Sequence, residues 1–168
     1  VTTYSMHKLV AELTRDEGLR LKTYRCTAAR LTVGIGRNLD DVGISGSEAR
    51  LFGCDTPAQA LAHVKRHGVT KLQAESLFAN DIVGCERQLD RRLSWWRGLD
   101  DVRQRVLLNM CFNLGIARLL GFKSTLRMIE RREYEDAAAG MLASLWARQV
   151  GARALRLSTM MRTGKDAR

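Results

Sequence analysis

Within DEGLRLKTYRCTAARLTVGIGRN a carboxylate, a thiol and a hydroxyl follow one another at short intervals: Glu17, then Cys26 after eight intervening residues, then Thr32 after five more. A helix end pointing across one face of a β-hairpin can bring three such groups into one cleft. The set suits hydrolysis of a glycosidic bond. One group delivers a proton to the leaving oxygen, and another positions water or attacks the anomeric carbon from the opposite face. A plainer reading stands beside it, in which Glu17 merely ends a helix and Cys26 fills a small pocket. On spacing alone the plainer reading prevails.

The elements that must hold these residues are legible around them. Ser5 reads as the cap of a first helix whose apolar positions Met6, Leu9, Val10 and Leu13 keep helical spacing, and Gly18 reads as its stop. From Leu19 the period changes to two. Leu19, Leu21 and Thr23 alternate with Arg20, Lys22 and Tyr24, and Leu31, Val33 and Ile35 alternate with Thr32, Gly34 and Gly36. This is a β-hairpin with Leu31, Val33 and Ile35 on its apolar face and Tyr24, Cys26 and Thr32 on the other.

Residues 38–68 read as short helical pieces, SEARLF and PAQALAHVKRH, punctuated by Gly43, Gly46, Gly53, Pro57 and Gly68. GISGSEARLF and GVTKLQAESLF share a Gly–apolar–Ser/Thr start, the pattern of two similarly capped helix N-termini. Thr70 then caps a long helix to about Leu93, with Leu72, Leu77, Phe78, Ile82, Cys85 and Leu89 as its buried stripe. Everything after Ser94 reads as helix. Asp100 caps VRQRVLLNMCFNLG, helices from Lys123 to Arg132 and from Tyr134 to Ala147 follow, and a basic helix runs from about Ala152 to Met161. The expected class is α+β and mostly helical, with a small hairpin lobe, a long connecting helix and an all-helical lobe.

The 168 residues, 45% hydrophobic and 27% charged with a single Pro, exclude disorder and fibrous repeats. No apolar run approaches the ~18–20 residues of a membrane span, and charges spread through the first helix argue against a secretory signal. Lys and Arg exceed Asp and Glu by ten. The bases and acids number 14 and 11 over residues 1–93, but 14 and 7 over residues 94–168. Such a field attracts a polyanion, whether nucleic acid or an acidic bacterial envelope. Solvated Arg on helix faces explains it equally well. Cys26, Cys54, Cys85 and Cys111 lack metal-ligand spacing and read as free thiols. His63 and His67 lack a third ligand and read as surface residues. No metal and no cofactor are expected. Trp95, Trp96 and Trp146 read as core aromatics rather than sugar platforms.

The string from Glu17 to Thr32 resembles the catalytic motif of the phage-type lysozymes, glycoside hydrolase family 24, in the order Glu, eight residues, Asp or Cys, five residues, Thr. The resemblance extends through Asp16 to Lys22, Tyr24 and Thr32 to Gly36. It continues through Asn109 to Gly115, through Gly121, Phe122, Ser124, Leu126 and Arg127, and through Trp146, Gln149, Arg153 and Arg162 to Gly164. It implies one lysozyme-like domain over residues 1–168. One lobe would span about 17–69 and the connecting helix about 70–93. The helical lobe would comprise 94–168 together with the N-terminal helix 5–16.

Carried over position by position, Glu17 resembles the general acid and Thr32 the hydroxyl that positions the nucleophilic water. Cys26 stands where the catalytic Asp usually stands. Asn109, Phe112, Asn113 and Ser124 resemble residues that touch sugar. Arg153 resembles the base paired with the acid, and Gln149 supports it. Arg37 stands where the family's best-known member has a His paired with an Asp of the long helix, and Asp81 matches that Asp. An exposed Arg37–Asp81 ion pair is therefore expected, contributing ~0–1 kcal/mol.

A thiol ordinarily titrates near pH ~8.5, and a neighbouring carboxylate raises that value. Cys26 is then mostly neutral at pH 7 unless Arg25, Arg30 or another base lowers it. It could act as thiolate base or nucleophile, it could be a weak third member beside Glu17 and Thr32, or the site could be impaired.

The resemblance implies a muramidase that cuts the β-1,4 bond between N-acetylmuramic acid and N-acetylglucosamine with inversion. It implies an endolysin, made in the host cytoplasm and acting as a monomer in the periplasm or wall after membrane permeabilisation. Its partners would be the peptidoglycan strand and the anionic envelope, without nucleic acid or stable membrane insertion. The alternatives are a catalytically weakened, lysozyme-like wall-binding module and a basic helical nucleic-acid binder. Against the last, Trp95 and Trp96 are adjacent rather than spread along a base-stacking face.

Overall fold

A computed structural model describes residues 4–167. It is a mostly helical α+β protein with ten α-helices among the described residues and one antiparallel sheet. Residues 10–83 form one compact unit, and residues up to Leu9 with those from Gly84 onward form another.

The first helix, α1 (Met6–Glu17), buries Leu9 and Leu13 completely. Met6, expected on the same stripe, is 41% exposed. Gly18 ends the helix at φ +73°, a left-handed conformation that glycine adopts without a side-chain clash.

In the unit of residues 10–83 the hairpin forms as expected. Strand β1 (Arg20–Arg25) pairs antiparallel with β2 (Leu31–Gly34). The sequence did not signal β3 (Arg37–Asn38), which pairs with β2 through Thr32–Asn38 and Val33–Arg37. Two residues are too short for any periodicity. Val33 and Ile35 are buried, whereas Leu19, just before the first strand, and Leu21 within it stay exposed.

The repeated Gly–apolar–Ser/Thr string marks two real caps. Ser45 and Glu48 close a capping box on α2 (Gly46–Ala49), which continues as a 3₁₀ turn over Arg50–Phe52. Thr70 and Gln73 exchange the same two bonds at the start of α4 (Lys71–Arg92). Thr56 and Gln59 box α3 (Pro57–His67), with Pro57 in its first turn. Val33, Leu39, Ile44, Ala49, Phe52, Ala60, Val64, Val69, Ala74 and Leu77 form the core of this unit. Leu72 is a correction. It is 73% exposed, and Ala74 takes the inward place on the helix.

The other unit is helical. Asp100 caps α5 (Asp101–Leu114) by accepting the Arg103 N–H at 3.0 Å. After it come α6 (Ile116–Leu120), α7 (Lys123–Glu130) and α8 (Tyr134–Leu142). The helix expected from Tyr134 to Ala147 is interrupted. Ser144 takes an extended conformation and caps a new helix, α9 (Leu145–Val150), by accepting the Ala147 N–H. The last helix is α10 (Ala152–Thr163), packed on α8 and α5. Trp96 and Trp146 are buried, as their core reading required, and Trp95 is half-buried. Fully buried Arg105 is satisfied by Asp101 and Asp166, and Lys8 also reaches Asp166. These bonds fasten the chain's N-terminal turn and its last residues to α5. No helix among the described residues is long and apolar enough to cross a membrane.

Candidate active site

Glu17 is the last residue of α1, and the left-handed turn at Gly18 sends the chain directly into β1. Its half-buried side chain lies over Gly36, in the turn between β2 and β3. A Cβ built on Gly36 would stand 3.1 Å from both Cγ and Oε2 of Glu17. Gly36 also needs its φ of +72°. The glycine therefore does two things: it makes the turn, and it leaves the space that the carboxyl fills.

Cys26 and Thr32 share one hydrogen-bond acceptor. The Arg30 carbonyl receives the Cys26 N–H and the Thr32 hydroxyl, each at 3.0 Å. The Ala29 N–H closes the turn on the Cys26 carbonyl at 2.8 Å, with Ala29 itself at φ +59°. Three residues between the paired positions, the last of them left-handed, make a three-residue hairpin loop that ordinarily favours glycine there. Arg25 Nη1 donates to the Ala29 carbonyl at 2.7 Å, and the Leu31 N–H donates to Asp40 at 2.8 Å.

The acidity of Cys26 corrects the expectation. Burial opposes a thiolate there, but the backbone N–H groups of Arg30 and Ala28 and the Thr32 hydroxyl outweigh it, and the thiol lies below its ordinary value. The Arg25 and Arg30 guanidinium groups are not the cause. They face Asp40 and Asp41 at 4.0 and 3.5 Å, on the exposed flank of the loop.

Tyr24 stands opposite Thr32 in the ladder, and the Arg20 guanidinium lies 4.4 Å from its ring centre. Burial raises the phenol's pKa first, and the charges of Glu17 and Cys26 raise it further.

Arg37 and Asp81 pair as expected, at 2.9 Å, but the pair is not exposed. Arg37 is 4% exposed and makes a second, bidentate pair with Glu48, at 2.7 and 3.0 Å. It also donates to the Gly43 and Leu77 carbonyls. β3, the loop before α2, α2 itself and α4 are thereby tied to one guanidinium. Burial alone would raise Glu48, yet Arg37, the Ser45 N–H and the Asn80 amide bring it down to about 2. Burial leaves Asp81 above its usual value despite Arg37. Glu48 was not among the residues singled out in the sequence, although its place three residues after Ser45 fits the capping box it forms. Nothing there showed that the same carboxylate would also hold Arg37.

The remaining candidates lie in the other unit. Asn109 is fully buried and accepts from Arg153 Nε at 2.9 Å. Its carboxamide oxygen is thus engaged by a residue of α10. Asn113 accepts from the Trp146 indole at 2.8 Å, and Phe122 packs edge-on against that indole. Phe112 and Asn113 are half-buried, while Ser124 and Gln149 are exposed. His63 stacks between Phe52 and His67. Among the described residues no group of three or more His, Cys, Asp or Glu side chains is placed to hold a metal ion. Cys111 is a buried free thiol held below its ordinary value by a hydrogen bond with the Cys85 thiol.

A family model of the phage lysozymes matches residues 14–163. Probable T4-type lysozyme 1 of Dictyostelium discoideum is 26% identical over 160 residues, covering 89% of this chain and 90% of that protein. Probable T4-type lysozyme 2 of the same organism is 25% identical over 153 residues, with the same two coverages. The pre-baseplate central spike protein of Enterobacteria phage T4 is 28% identical over 161 residues, which are 90% of this chain but 27% of the spike protein. The matched span takes in Glu17, Cys26, Thr32, the Arg37 network and Arg153, and the chain belongs to the phage lysozyme family.

Proposed function

We propose that this protein is a muramidase that hydrolyses the β-1,4 bond between N-acetylmuramic acid and N-acetylglucosamine. The observation that carries the reading is the grouping on α1 and the hairpin: a carboxyl seated on Gly36, and the Cys26 backbone N–H and the Thr32 hydroxyl sharing the Arg30 carbonyl. Family membership supports the reaction class.

In the proposed step the Glu17 carboxyl gives its proton to the glycosidic oxygen as the bond to the anomeric carbon breaks. A water molecule, oriented by Thr32, attacks that carbon from the opposite face, and the Cys26 thiolate takes its proton. The products are two free sugar ends, an ionised Glu17 and a protonated Cys26, which exchange protons with solvent before the next turnover. Single displacement inverts the anomeric centre. Asn109 orients Arg153, which with Gln149 supports the acid, and Phe112, Asn113 and Ser124 contact the glycan. The positive charge concentrates the enzyme, as a monomer, on an anionic envelope during phage-directed lysis, after synthesis in the host cytoplasm and membrane permeabilisation.

Similarity to a segment of a spike protein favours a second reading, a wall-docking module with weakened catalysis. Clearing of purified peptidoglycan by wild type, Glu17→Gln, Cys26→Ala and Cys26→Asp separates the two. The enzyme reading expects loss in Glu17→Gln and Cys26→Ala and retention in Cys26→Asp, with the α-anomer as first product by NMR. Undiminished clearing by Cys26→Ala makes the thiol a bystander. No clearing by wild type leaves the docking module.

A further inference from the structure

We propose that Asp40 is a positioning residue of the site, its carboxylate anchoring the one peptide group that sets Cys26 and Thr32 relative to each other. This rests on the muramidase reading and names what holds its base and its hydroxyl in register. The peptide is the one joining Arg30 to Leu31. Its carbonyl accepts the Cys26 N–H and the Thr32 hydroxyl, each at 3.0 Å. Its N–H points the other way and donates to Asp40 Oδ2 at 2.8 Å. The C=O and N–H of a peptide share one rigid plane, so a partner that fixes one end fixes the direction of the other.

A side chain takes this bond because the strand ladder runs out. β3 pairs with β2 only through Thr32–Asn38 and Val33–Arg37. Leu39 comes next, and its N–H still reaches the Leu31 carbonyl at 2.8 Å. The Leu31 N–H meets the Asp40 carboxylate in place of a strand carbonyl. An ionised acceptor makes the stronger bond, and it polarises the peptide so that the far carbonyl accepts more strongly. Asp40 is itself set by a turn. Asn38 Oδ1 accepts the N–H groups of Asp40 and Asp41, each at 3.0 Å, and Asn38 Nδ2 donates to Asp41 at 2.7 Å. Arg25 Nη1, 4.0 Å from Asp40, donates to the Ala29 carbonyl at 2.7 Å. The segment after β3 thereby grips the loop that carries Cys26.

The donors that favour the Cys26 thiolate are the Arg30 and Ala28 N–H groups and the Thr32 hydroxyl, all within two residues of this peptide. A peptide that swings moves them together. The charged and titratable groups around Cys26 are Glu17 at the end of α1, Tyr24 and Arg25 on β1, Arg30 in the turn, and Asp40 and Asp41 beyond β3. The charge of Asp40 taken alone opposes a thiolate, so its charge and its positioning role act with opposite signs.

The test compares Asp40→Ala with Asp40→Asn in the full chain carrying Cys54→Ser. Both variants remove the charge, but Asn keeps an acceptor for the Leu31 N–H. Alkylation of Cys26 by iodoacetamide is followed against pH by mass spectrometry, and Cys85 and Cys111, being buried, react slowly. In Asp40→Ala the alkylation midpoint is expected to rise by about half a pH unit or more. The kcat on peptidoglycan is expected to fall about tenfold, with KM unchanged. Asp40→Asn is expected to recover most of both. A midpoint that falls equally in the two variants overturns the proposal, because Asp40 then acts only as a nearby charge. Equal losses in the two variants overturn it, as does an unmoved midpoint or an unmoved kcat in Asp40→Ala. Alkylation reads Asp40 without activity, whereas failure of wild type to clear peptidoglycan overturns the muramidase reading. The two failures are therefore distinguishable.

Discussion

The Glu17 carboxyl rests on the bare α-carbon of Gly36, a contact that any larger residue would fill from below. Gly36→Ala places a methyl group 3.1 Å from Glu17 Oε2 at a φ of +72°. The left-handed conformation costs ~1–2 kcal/mol, and the carboxyl must move by a few tenths of an ångström. Gly53→Ala is the matched control, since Gly53 has φ +64° and nothing within 4 Å of its added Cβ. Both variants are expected to lose similar stability. Only Gly36→Ala is expected to lose peptidoglycan clearing, by roughly tenfold or more. Equal activity in the two would show that the contact does not position the acid.

The buried Arg37 network makes stability depend on acid. Glu48 is depressed from 4.5 to about 2, so its contribution is complete above pH 4.5 and is lost as pH falls toward 2. Asp81 is raised by burial and works in the opposite sense, gaining a proton in the folded protein before it would in the unfolded one. Urea midpoints measured from pH 6 to pH 2 should fall in wild type, with a shallower fall in Glu48→Gln. Glu48→Ala at pH 7 should destabilise by about 3–5 kcal/mol, because it strips a buried guanidinium of its bidentate partner. A cost under 1 kcal/mol would mean that Asp81 and the two carbonyls suffice for Arg37.

Ala29 offers a gain rather than a loss. It occupies the left-handed position of the hairpin loop at φ +59°, where a β-carbon is unfavourable. Ala29→Gly is expected to raise stability by up to about 1 kcal/mol, the relief exceeding glycine's greater chain entropy. Ala28→Gly, one residue earlier and without positive φ, is expected to lower it. Chemical denaturation of the two variants decides the sign. The loop carries Cys26, so clearing by Ala29→Gly also shows whether activity needs the strained turn.

Much of the fold was readable because its signals are local. Ser45, Thr56 and Thr70 each precede a Glu or Gln by three residues and form capping boxes, needing only their own backbone to do so. The alternation around Cys26 produced the hairpin, and the Glu–Cys–Thr spacing marked one end of it. Where a residue's role depends on distant partners, local pattern misled. Leu72 fits the helical stripe but faces solvent, because the stripe's direction is set by what α4 packs against and not by its period. Ser144 looked like one helical residue among several, yet it caps a new helix once α8 has ended.

The candidate site divides in the same way. Residue type and order determined which groups could do chemistry: Glu17 before a helix-ending glycine, Cys26 in place of a carboxylate, and Thr32 on the return strand. Only the tertiary structure decided their surroundings. It put Gly36 under Glu17, directed loop N–H groups at the Cys26 sulfur, and buried Arg37 between Glu48 and Asp81. It also bonded Asn109 to Arg153. Electrostatic work depends on distance, burial and the orientation of dipoles contributed by segments far apart in the chain, and a linear pattern carries none of these.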